Sequence, residues 1–256
     1  MKRLAIRFMV LSSLALFAGG ASGQELLTNG NLDDPGLHEM DAIANWTLSE
    51  SPDEINAATF ATFADHTSIP NPPEPEPPGV GLWYRAFEGT TFDNPREPVD
   101  AHLTQMVPGV PGAKYAMTGW ALFEANYAGG FDTLPSGGTS NARWPADTPS
   151  PTGTEFALEF LDAGNAVLPG SVVMDLHDDL GQNNGDGWVQ HMLMATAPAG
   201  TVNVQVRASL LDGVNSDVNP QSAFVDDFSL VIIPEPACMA LVMIGAVALL
   251  GWSRRR

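Results

Sequence analysis

Cysteine is all but missing. The one cysteine, Cys238, lies near the C-terminus, so no disulfide framework, zinc site or thiol nucleophile can be built in the body before it. Stability there must come from packing and any bound ion. Positive charge is scarce too: 11 Lys and Arg stand against 30 Asp and Glu, for a net charge of −19. Six of the basic residues are Lys2, Arg3, Arg7, Arg254, Arg255 and Arg256, with the acids lying between the two groups, so the body is more acidic than the whole. Such a surface repels nucleic acid and anionic lipid, which excludes a nucleic-acid partner. It suits solubility outside the cell and hard divalent cations such as Ca²⁺, although solvation alone accounts for most of the carboxylates. Catalytic signatures are also lacking. His38, His66, His102, His177 and His191 are isolated, and neither H-E-x-x-H nor G-x-S-x-G occurs. The acid-rich stretches 175–179 and 183–187 miss the spacing of a helix–loop–helix calcium site. The chain therefore reads as a non-enzyme. A glycoside hydrolase with two carboxylates hidden among the many acids, or an ester hydrolase, is the catalytic alternative.

The two ends carry the clearest signals. At the start, Lys2, Arg3 and Arg7 precede an apolar run at 8–18, and Ala21-Ser22-Gly23 supplies small residues. This is a secretory signal peptide, set at residues 1–23. At the other end Pro234-Glu235-Pro236 leads into 16 uncharged residues, 237–252, and then Arg254, Arg255 and Arg256. The run makes a helix of roughly 24 Å, short for a bilayer core of about 30 Å, and the arginines hold its end in the cytoplasm.

Between them, 24–233 reads as one β domain. Strand-like alternation covers 80–87, 99–107, 114–124, 154–162, 188–195, 201–210 and 222–233, with Gly- and Pro-rich turns between. No body segment holds a helical period. Two insertions interrupt the pattern, at about 50–79 and 126–153. The first contains 69–78, with six prolines in ten positions, and should run as surface polyproline II. The second is rich in Gly, Ser, Pro and Thr. Short strands of this kind make an all-β sandwich.

The order Pro-Glu-Pro, short apolar helix, arginine cluster at 234–256 resembles the PEP-CTERM sorting signal of Gram-negative bacteria. That resemblance implies an exosortase partner, transient anchoring in the inner membrane by the C-terminal helix, and release to the cell surface or extracellular matrix. The body resembles galactose-binding-like jelly rolls, which include carbohydrate-binding modules. The matching pieces are Asn29-Gly30-Asn31-Leu32-Asp33 with Trp46, Gln105 to Gly109 with Tyr115, the hairpin at 156–168, Trp188 with Ala197-Pro198-Ala199-Gly200, and Val225-Asp226-Asp227-Phe228. Leu32 and Asp33 stand where that pattern usually has Phe and Glu.

The second resemblance implies a structural Ca²⁺ where the first and last strands meet. Its matching positions are Asp33 and Asp226 or Asp227, with backbone carbonyls near Asn29 and Asn31. Strand alternation would point Asp226 and Asp227 to opposite faces, leaving one as a direct ligand. Sugar binding needs exposed aromatic rings beside planar polar groups. Trp144 with Arg143 in the polar insertion, and Trp83 with Tyr84, are the candidates, whereas Trp46, Trp120 and Trp188 are expected in the core. The resulting expectation is an exported, surface-sorted jelly roll with a structural or adhesive role beside extracellular polysaccharide. A specific carbohydrate-binding module is the nearest alternative.

Overall fold

A computed structural model describes residues 23–33, 43–51, 57–66, 79–85, 98–134, 147–177, 181–214 and 222–234. Two compact units result. One is 25–231. The other comprises the chain ends, 1–24 and 232–256, of which only 23–24 and 232–234 are described. Nearly all of the two end segments read as a signal peptide and a sorting signal, the proline-rich run and the Arg143–Trp144 pair therefore lie outside the described residues.

Among the described residues ten strands form: β1 (Thr47–Ser51), β2 (Ala58–Ala61), β3 (Gly81–Arg85), β4 (Val99–Pro108), β5 (Lys114–Phe123), β6 (Gly153–Leu161), β7 (Val172–Asp175), β8 (Val189–Thr196), β9 (Asn203–Gly213) and β10 (Ser222–Ile233). They make two five-stranded sheets, ordered β1-β4-β9-β6-β7 and β2-β3-β10-β5-β8. The registered pairs are antiparallel. Among the described residues there is no α-helix, only short 3₁₀ turns at Thr62–Ala64 and Ala128–Gly130.

The sheets face each other across an apolar core, as a β-sandwich must to bury one face of each. Alternation decides which side chains enter it. On β5, Tyr115, Met117, Ala121 and Phe123 are fully buried, while Thr118, Trp120 and Leu122 are not. Rings from opposite sheets then meet: Tyr115 lies 5.9 Å from Phe160, and Phe156 lies 5.3 Å from Phe228. Gly119 makes room for the second pair. A Cβ there would sit 2.8 Å from the Phe228 ring and 2.9 Å from that of Phe156.

Three strands escape the sequence pattern. β1 is an edge strand of polar character. β2 lies inside the stretch read as a loop, yet its Thr59 and Phe60 pair with Trp83 and Leu82, so 50–79 is not loop throughout. β7 is a four-residue edge strand against β6. All three are short, and short edge strands carry too few residues for a period to register.

Candidate functional site: an aromatic ledge beside an acidic notch

The site is organised by a change of partner along one edge of β10. Its first part, Ser222 to Val225, pairs with Arg85 to Leu82 of β3. Its last part pairs instead with the start of the body. Leu26 N donates to Leu230 O at 2.9 Å, Phe228 N donates to Gly30 O at 2.7 Å, and Glu25 bridges Val231. The first segment of the body and its last strand therefore adjoin. Gly30 permits the closest approach, since a Cβ there would stand 2.1 Å from the Phe228 carbonyl oxygen.

Asp226 and Asp227 occupy the gap between the two partners. Asp227 has a left-handed backbone, φ 50°, which Asp tolerates better than most residues. The burial pattern changes there: every residue from Ser222 to Asp226 is buried, whereas beyond Asp227 burial falls on Phe228 and Leu230 alone. Strict alternation fails, and the expected opposition of the two carboxylates fails with it. Both reach the same residue. Asp226 Oδ2 accepts the His66 backbone N–H at 2.8 Å, and Asp227 Oδ2 lies 2.6 Å from His66 Nδ1.

Asp33 and Asp65 close the notch. Asp33 Oδ1 accepts from Val80 N at 2.8 Å, and Asn31 Nδ2 donates to Asp33 Oδ2 at 2.8 Å. Asp65 is almost fully buried. Both carboxylates converge on Gly79, where an added Cβ would lie 2.3 Å from Asp33 Oδ1 and 2.6 Å from Asp65 Oδ2. Crowding of like charge out of water has the expected electrostatic result. Burial raises Asp33 above the usual carboxylate range, and Asp65 and Asp227 push it further, against the Val80 N–H. Burial pushes Asp226 up to about 9, although the N–H groups of His66 and Asp227 pull it down. Among the described residues, the one basic group bonded to Asp33, Asp226 or Asp227 is the His66 ring.

Not every sequence candidate fits a cation here. Asp226 is buried, carries a raised pKa and spends both oxygens on backbone N–H groups, including Asp227 N at 2.7 Å. It acts as a turn cap. The Asn29 carbonyl already accepts the Trp46 indole N–H at 2.8 Å and Leu32 N at 3.2 Å. Asp33 and Asp227, and Asp65 that the sequence did not single out, are the other carboxylates here; Asp33 accepts at both oxygens and Asp227 is bonded to His66, so a cation would share them with those partners. Among the described residues no three acidic or imidazole groups are set as a finished metal site.

His66 also joins the notch to a row of aromatic rings. Its imidazole stacks on Trp120 at 3.9 Å and 19°, and Trp188 meets it edge-on at 5.4 Å. Trp188 lies 6.4 Å from Phe224, and Phe224 lies 6.1 Å from Phe63. Phe63 meets Trp83 edge-on at 4.8 Å, and the Arg85 guanidinium sits 5.0 Å from the centre of the Trp83 ring. Trp83 and Phe224 are direct cross-strand partners, and Trp120 lies on the outward phase of β5. Trp83, Trp120 and Trp188 are half-buried and Phe63 is 61% exposed, while Phe224 is buried among them, so the rings form a ledge on the outer face of the sheet with Phe224 beneath it.

This differs from the expected placement in two ways. Trp120 and Trp188 are half-buried on the ledge, and only Trp46 enters the core, 5.2 Å from Phe228. Tyr84 is fully buried and offers no ring to a ligand. It is one residue out of phase with Trp83, so the same alternation that turns Trp83 outward turns Tyr84 in. Phe63, His66 and Phe224 were missed. The first two follow a short strand in irregular chain, where no periodicity marks them. Phe224 sits in an apolar strand whose other members are core residues.

No protein-family model matches the sequence, and neither does any curated protein. Among solved structures, the chain is similar to the enzymatically active domain of tailspike protein 4 of bacteriophage CBA120 (15% identity, TM-score 0.49, 82% of this chain and 21% of that one). The chain thus spans about a fifth of that tailspike domain. It is similar to the carbohydrate-binding module TmCBM61 in complex with β-1,4-galactotriose (14% identity, TM-score 0.44, 82% of this chain and 99% of that one). It is also similar to a Stig cyclase from Fischerella sp. TAU (13% identity, TM-score 0.49, 83% and 99%).

Proposed function

We propose that this chain is a non-catalytic glycan-binding protein of galactose-binding-like jelly-roll type. It is exported, sorted to the cell surface, and serves a structural or adhesive role in extracellular polysaccharide. The observation that carries the binding function is the aromatic ledge of Trp83, Phe63, Trp188 and Trp120, packed over buried Phe224. A row of rings on the solvent face of a sheet gives pyranose rings flat apolar surface to stack on. Arg85, beside Trp83, adds a planar donor for hydroxyls. In a protein this acidic, a cluster of large rings outside the core suggests contact with a ligand that is itself half apolar and half hydroxyl. The sorting role rests on the sequence of the two ends, with an exosortase-type enzyme as the processing partner.

Within this reading, Asp33, Asp227 and Asp65 would hold a structural Ca²⁺ in the notch. The donor chemistry suits that ion: all are carboxylate oxygens, and Asp33 and Asp65 meet beside Gly79, which has no side chain to keep them apart. A bound cation would neutralise the crowded acids and pin the first segment to the last strand.

The test is retention of the purified protein in affinity electrophoresis through a panel of neutral and acidic polysaccharides. Retention on at least one polymer, cut at least tenfold by Trp120→Ala combined with Trp83→Ala, is the expected result. An intact, folded protein retained by none overturns the glycan-binding reading and leaves a purely structural one.

A further inference from the structure

A second concavity lies elsewhere on the sandwich, where β5 leads toward β6 and β7 toward β8. It is a cleft of about 640 Å³ that shares no lining residue with the ledge or the notch. Asp132 stands on one wall. Asp175, His177, Gln182 and Asn183 stand on the other, and Ser150 and Thr152 add hydroxyls.

The walls are fixed by bonds behind them. Gln182 Nε2 donates to Ala121 O at 2.9 Å and to Gly187 O at 3.3 Å, so its Oε1 accepts from His191 Nε2 at 2.6 Å. Asn184 Nδ2 donates to Tyr127 O at 2.7 Å, so its Oδ1 accepts from His177 Nε2 at 3.2 Å. The His177 ring leans on Phe123 at 4.0 Å. Thr152 Oγ1 donates to Asp212 O and accepts from Val214 N, both at 3.1 Å. Gly130 runs so close to Asn184 that a Cβ would fall 2.0 Å from its Oδ1. A cleft whose lining is held this way loses little entropy when it binds.

Its chemistry is one-sided. Among the described residues, two carboxylates, two amides and two hydroxyls line it, with one imidazole and neither lysine nor arginine. Carboxylates accept strongly from hydroxyl and ammonium donors, and repel a ligand carboxylate or phosphate across a few ångströms. We propose that this cleft is a separate sugar site that takes a neutral hexose or amino sugar and rejects uronic acids. It stands independently of the ledge: the ledge would grip a polymer by stacking, and the cleft would read the charge of a single residue.

Calorimetric titration of the full chain with galactose, glucosamine and galacturonate tests this. Galactose and glucosamine should bind with Kd values in about the millimolar range, and galacturonate at least tenfold more weakly. Asp132 is exposed, so Asp132→Lys should fold normally and reverse that ranking. The double ledge variant Trp83→Ala/Trp120→Ala should keep the monosaccharide titrations unchanged, which separates failure of this site from failure of the ledge. Equal or better binding of galacturonate, no binding of either non-acidic sugar, an unaltered ranking in Asp132→Lys, or loss of monosaccharide binding in the ledge variant would each overturn the proposal.

Discussion

The imidazole of His66 lies flat on the indole of Trp120, 3.9 Å between centroids, while its Nδ1 sits 2.6 Å from Asp227. One side chain thus supports the aromatic ledge from below and the acidic notch from the side. His66→Ala removes a stacking partner and a bonded partner of a carboxylate at once. It should cost about 1–2 kcal/mol of stability and weaken polysaccharide retention. His66→Phe, which keeps the stack alone, should restore retention while leaving part of the stability loss. Urea denaturation and affinity electrophoresis of the two variants read these effects separately.

Calcium should raise the melting midpoint relative to EGTA, because an ion bound only by the folded chain stabilises it by mass action. Asp33→Asn and Asp227→Asn should each abolish the difference. A midpoint indifferent to calcium in the parent protein would sink the notch as a cation site.

Buried His191 makes a prediction about acid. Burial first, and His177 second, lower its pKa to about 4 from 6.5. The unfolded chain therefore binds a proton here at a pH where the folded chain does not. The stability this neutral histidine allows is complete above pH 6.5 and is lost as pH falls from there toward 4, on the order of 1.4 kcal/mol per pH unit. His191→Gln keeps a donor for Gln182 Oε1 and should flatten that limb when urea midpoints are compared between pH 7 and pH 5.

Gly119→Ala tests the packing between the sheets. The new methyl meets the Phe228 and Phe156 rings at 2.8 and 2.9 Å, so one must shift off its packed position. A loss of about 1–3 kcal/mol is expected, measured by thermal or urea unfolding. A neutral result would mean the two sheets separate more easily than this core implies.

The long strands β4, β5, β6, β8, β9 and β10 are legible in the sequence because each has enough alternating residues to show its period. The adjacency of the first segment and the last strand is also anticipated, through Asn29 to Asp33 and the Asp226–Asp227 pair. What a period-two reading cannot see is a place where the period breaks. The left-handed Asp227 turns two carboxylates to one side and carries Phe228 back to the core. Trp120 shows a related limit: tryptophan reads as a core residue by size, and only its phase against Tyr115 and Met117 places it outside. Asp65 and His66 had no signal at all, since three-dimensional convergence on Gly79 and Asp226 leaves no mark in local sequence.

The partner change along β10 has a consequence in time. Glu25 Oε1 accepts from Leu230 N across 205 positions of sequence, so the earliest part of the body to be synthesised waits for the latest. Loop closure of that span comes late and slowly. Until residues 228–231 emerge, 25–30 has no ladder to join and the acids of the notch have no frame. A nascent chain of this design stays unfinished until the last strand of the body has been made.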